Sequence, residues 1–90
     1  MATVRLAPVL RASVGGVKQV NAQGETLADV LFDLYARYPA LKDQIQPGET
    51  LSRFINIYVN DQDVRHLQGL ETSVSAADTV ILLPAMAGGR

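Results

Sequence analysis

The ninety-residue sequence has no cysteine and a single histidine. Without a thiol, the chain can build neither a disulfide framework, a thiolate nucleophile nor a cysteine-ligated iron cluster. His66 has no thiol to activate and no companion ligands, so neither triad catalysis nor a metal centre is expected around it. It reads as an exposed strand residue. Long apolar runs are missing as well. The longest, Val80 to Met86, falls far short of the roughly 20 residues a membrane span needs. Eight Lys and Arg stand against nine Asp and Glu for a net charge of -1, with no block of one sign, so the basic stripe of a nucleic-acid binder is absent. Met-Ala-Thr-Val-Arg at the start lacks a basic segment followed by an apolar run. No secretory signal is therefore expected, and the cytoplasm is the expected location.

What remains is 48% hydrophobic and 19% charged, the balance of one small globular domain. Residues 3–12, TVRLAPVLRA, alternate and predict a strand, with Pro8 marking an edge or a bulge. Gly15-Gly16 then suits a tight turn into a returning strand, Val17 to Ala22. The period changes after Gly24. Thr26 can cap a helix whose apolar face is Leu27, Val30, Leu31, Leu34 and Tyr38, and Pro39 ends it. Residues 40–52 read as a loop with room for one short helical turn, despite apolar Leu41 and Ile45. RFINIYVN, residues 53–60, is the strongest strand; a turn at residues 60–63 leads to a short return strand, Val64 to Leu67. A turn or short helical piece over residues 69–77 precedes a last strand, Thr79 to Leu83. The order strand, strand, helix, strand, strand, strand implies an α+β fold, a mixed sheet with one main helix across a face.

Little in this chain can perform chemistry unaided. Asp61 and Asp63 lack the spaced ligands and closing Glu of a calcium loop, and Gly15-Gly16 lacks the Lys and following helix of a phosphate loop. An autonomous enzyme is not expected. The remaining feature is the tail. Two glycines offer no side chains and almost any backbone angle, and an extended run from Pro84 to Gly89 reaches roughly 20 Å, enough to enter another protein's active site.

The hairpin, helix, second hairpin VNDQDVR, apolar last strand and Gly-Gly terminus together resemble the ubiquitin-like sulfur carriers of the ThiS and MoaD type. RFINIYVNDQDVR and ILLPAMAGG look particularly like the actinobacterial CysO branch. The resemblance covers essentially the whole chain and implies a β-grasp domain over residues 1–84, with residues 85–90 as a flexible tail. It also implies a role as co-substrate rather than enzyme. An E1-like adenylating enzyme, using its own ATP and Mg, would activate the carboxylate of Gly89, with Gly88 beside it in the partner's tunnel. Sulfur would then replace AMP, and the thiocarboxylate would feed a cysteine-synthase-like or thiazole-synthase-like acceptor, or one making a thiosugar. No bound cofactor is implied. Arg90 departs from the pattern and would first be removed, as JAMM-type metalloproteases do for related carriers.

If the helix covers Ile55, Ile57, Val59, Val80 and Leu82, the other face carries Phe54, Tyr58, Ile81 and Leu83. Either these form a docking patch that continues through Pro84, Ala85, Met86 and Ala87, or a loop covers them, or they are ordinary surface apolar residues. The competing function is a ubiquitin-like modifier or a plain interaction domain.

Overall fold

The computed structural model describes residues 1–85. Strands β1 (Ala2–Leu6), β2 (Gln19–Ala22), β3 (Ile55–Val59), β4 (Gln62–Asp63) and β5 (Thr79–Pro84) form one sheet in the order β2-β1-β5-β3-β4. β5 runs parallel to β1 and antiparallel to β3, so the last strand of the chain sits in the middle of the sheet. The helices are α1 (Pro8–Arg11), α2 (Leu27–Arg37) and α3 (Pro39–Ile45). The expected mixed sheet with a main helix is present.

Alternation assigns each strand residue to a face. Val4, Ile55, Ile57, Val59, Val80 and Leu82 are buried, and they share one core with Leu27, Val30, Leu31 and Leu34 of α2. Thr26 is the cap foreseen for α2: its Oγ1 accepts from the N–H of Asp29 over 3.2 Å, satisfying one of the first-turn donors. Gly24 makes the approach to that cap possible. With φ at +156°, a Cβ there would stand 2.6 Å from the backbone nitrogen of Val30.

Four expectations are corrected. The strand predicted for residues 3–12 stops at Leu6, because Ala7 donates its N–H to Leu82 and Pro8, lacking a donor, opens a helix instead. Leu6, Leu10 and Val14 are all buried, a spacing of four hidden beneath the alternation. The tight turn at Gly15-Gly16 is accordingly the end of a helical connection, with Gly15 as its left-handed cap at φ 76°, and β2 begins only at Gln19. Where residues 40–52 suggest a loop with one short helical turn, Pro39–Ile45 form a full seven-residue helix. Pro39 ends α2 and starts α3 at its first position, and Leu41 and Ile45 close the core. Finally, Val64–His66 is a 3-10 turn, not a strand. Asn60 and Asp61 adopt φ of 51° and 72°, giving a two-residue hairpin whose return strand is only Gln62–Asp63. Asp63 then caps the 3-10 turn by accepting from the N–H of Arg65 over 2.9 Å.

Candidate functional site

The candidate site is the open face of the sheet where β5 leaves it. Val80 and Leu82 are wholly buried, so β5 is anchored in the core while its alternate residues Ile81 and Leu83 turn to the other face. Pro84 pairs with Ile55 at the end of the ladder, and the N–H of Ala85 donates to the carbonyl of Phe54 over 2.7 Å. The direction of the chain is thereby fixed up to Ala85. Gly88, Gly89, Arg90, Met86 and Ala87 lie outside the described residues.

Registers place Arg5, Ile81, Tyr58 and Asp63 side by side across β1, β5, β3 and β4. Tyr58 and Ile81 are half-buried, Leu83 is exposed, and Phe54 just before β3 is 65% exposed with the Arg53 guanidinium 5.3 Å from its ring centre. The four aromatic and aliphatic residues singled out from sequence thus lie on or beside the face away from α2. One edge is tied down by Arg65. It donates to Asp63 Oδ2 over 2.8 Å and to the side-chain oxygen of Asn56, and this hydrogen bonding holds the Asp63 carboxyl below its ordinary range.

Sequence reasoning missed the other edge. Beside Ile81 and Leu83, a shallow groove is walled by Arg5, Pro8, Arg11 and Lys18. The Nε of Arg11 donates to the Leu6 carbonyl over 3.0 Å, which sets its guanidinium against the end of β1. The missed signal was the spacing of four in Leu6, Leu10 and Val14, which makes α1 a helix and brings Arg11 back to the sheet. Among the described residues no three His, Cys, Asp or Glu side chains gather closely enough to hold an ion. His66 is exposed on the 3-10 turn beside Asp63, not on a strand. No described helix is long and apolar enough to cross a membrane.

The ThiS family model matches residues 4–89, from β1 to the second glycine of the tail. The chain belongs to the ThiS family. It is 46% identical over 91 residues to the sulfur carrier protein CysO of Mycobacterium tuberculosis, covering 97% of each chain. A chain in the crystal structure of the Amycolatopsis orientalis BexX/CysO complex superposes with a TM-score of 0.91 at 44% identity, covering 99% of this chain and 100% of that one. Small archaeal modifier protein 1 from Methanosarcina acetivorans follows at 0.84 and 37% identity, covering 98% and 95%. The fold of this ThiS-family chain is therefore the ubiquitin-like β-grasp, and its likeness to the CysO branch spans nearly its whole length.

Proposed function

We propose that this chain carries sulfur on the carboxylate of Gly89 and presents it to other enzymes. The observation that supports this most directly is the extent of the family match, which runs through Gly88 and Gly89 and stops there. Because Arg90 follows Gly89, that carboxylate exists only after the Gly89–Arg90 peptide bond is hydrolysed. A JAMM-type metalloprotease is the proposed agent. An E1-like enzyme then lets the Gly89 carboxylate attack the α-phosphorus of ATP, releasing pyrophosphate. Sulfide-level sulfur from a donor, attacking as HS⁻, displaces AMP from the acyl carbon of the adenylate and loses its proton, leaving the thiocarboxylate. Adenylation matters because a carboxylate oxygen leaves only when its developing charge is stabilised elsewhere.

The chain's own contribution is positional. β5 is held in the core, Ala85 is tied to Phe54, and the open face bearing Tyr58, Ile81 and Leu83 docks the partner. The acceptor is a sulfur-incorporating synthase, of cysteine-synthase or thiazole-synthase type; the existence of a BexX/CysO complex supports a partner protein for this chain. Likeness to small archaeal modifier protein 1 favours a second reading, in which the activated Gly89 forms isopeptides with lysines of other proteins.

Intact mass spectrometry separates the two. The full chain and a version ending at Gly89 are each incubated with ATP, sulfide and the E1-like enzyme of the same genome. The carrier reading requires that only the shorter chain exchange one terminal oxygen for sulfur. Conjugates with other proteins, without that exchange, support the modifier.

A further inference from the structure

The charge of this chain is divided along its length. Residues 1–24 hold Arg5, Arg11 and Lys18 and no acidic residue, a net charge of +3, whereas residues 25–90 carry five Lys and Arg against nine Asp and Glu. Folding concentrates the division. All three cations line the one groove between α1 and β5, with Ile81 and Leu83 as its apolar side. The ion pairs among the described residues are Arg37–Asp33 and Arg65–Asp63, and neither enters this groove. Among the described residues none of the three cations pairs with a carboxylate; Arg11 donates only to the Leu6 carbonyl, over 3.0 Å, and so keeps its charge. Positive charge left unneutralised on an otherwise acidic protein raises the local potential and steers an anionic partner.

We propose that this groove is the docking slot for an acidic segment of the E1-like enzyme, with carboxylates opposite Arg5, Arg11 and Lys18 and an apolar side chain against Leu83. The inference rests on the carrier reading and names the partner chemistry of the same face. Two features select a protein segment over a small anion. The slot combines charge with an apolar side, and it is continuous with the route of the tail: Leu83 lines it and, two residues on, Ala85 is the last described residue of the chain. A partner that holds an acidic segment here has its surface beside the exit of β5. Charge selects the partner and the apolar contact fixes the register.

The test measures adenylation of the chain ending at Gly89 by the E1-like enzyme of the same genome, following pyrophosphate release. Arg5→Glu and Lys18→Glu, singly and together, are the variants, because neither side chain makes a hydrogen bond within the described structure that folding would miss; circular dichroism and thermal melts verify the fold. The double reversal should raise KM roughly tenfold with little change in kcat, and added salt should narrow its gap from the wild type. Carbodiimide treatment of the wild-type pair should join Lys18 to an Asp or Glu of the enzyme, a crosslink that Lys18→Arg abolishes. If the wild type is adenylated but the folded double variant keeps its KM and no crosslink maps to Lys18, the slot is overturned while the carrier reading stands. Absence of adenylation of the wild type at any salt concentration overturns the carrier reading, and the slot with it.

Discussion

The N–H of Ala85 donates to the carbonyl of Phe54 over 2.7 Å, so the pairing of β5 with the β3 side continues one residue beyond the strand. Replacing that donor, Ala85→Pro, deletes a single peripheral hydrogen bond and should cost about 0.5–1.5 kcal/mol in urea unfolding. The same bond fixes the chain at Ala85, so on the proposed carrier function thiocarboxylate formation should fall by more than stability does. A loss of kcat/KM no larger than the loss of folded protein would place the aiming elsewhere.

Adjacent residues of β5 should respond in opposite ways. Leu82 is fully buried between β1 and β3, and Leu82→Ala should destabilise by about 2–5 kcal/mol. Leu83 is 37% exposed on the open face. Leu83→Asp, like Phe54→Asp, should leave the melting curve nearly unchanged while weakening partner binding in calorimetry. Unfolding of either Asp variant would mean that the open face packs against something.

Gly24→Ala should be costly for its size. The added Cβ meets Asp29 Cβ and Val30 N at 2.6 Å, and the backbone angle of +156° is one that L side chains rarely adopt. A loss of about 2 kcal/mol or more is expected by chemical denaturation, concentrated in the docking of α2.

The Arg65–Asp63 pair gives a pH dependence. Hydrogen bonding to Arg65 lowers the Asp63 carboxyl from its ordinary 3.8, so the folded state binds its proton less readily than the unfolded chain. That stabilisation is full above the ordinary value and is lost as pH falls below it through the lowered one. The Arg65 partner is exposed to solvent, so the effect is small. Asp63→Asn should melt earlier than the wild type at pH 7, and the difference should shrink by pH 2.5.

How much of this could be read in the sequence depended on how local the signal was. The faces of β3 and β5 followed from alternation alone, because Ile55, Ile57 and Val80, Leu82 pack on α2 while their neighbours do not. The cap at Thr26 and the stop at Pro39 are likewise local chemistry. Residues 6–14 misled because TVRLAPVLRA satisfies both periods: Leu6 and Leu10 suit a strand of alternate residues as well as a helix with a spacing of four. Only the contact of Ala7 with Leu82, a tertiary event, decides between them. α3 was underread for a similar reason, since Leu41 and Ile45 form too short a pattern to stand out before the core they fill is known. The basic groove depends on the first of these misreadings being corrected. Arg11 approaches Ile81 only once the first strand has turned into α1.

The central position of β5 also bears on how the protein comes into being. Until residues 79–84 have been synthesised, β1 with β2 and β3 with β4 are two separate hairpins with no strand between them. A nascent chain halted before Thr79 therefore exposes the inner edges of both hairpins and lacks Val80 and Leu82 from its core, a form open to aggregation and degradation. The segment that carries the tail is also the one that closes the sheet. Under the proposed function, completion of the fold and readiness for activation are thus linked, for no chain can present Ala85 on a sheet that has not yet closed.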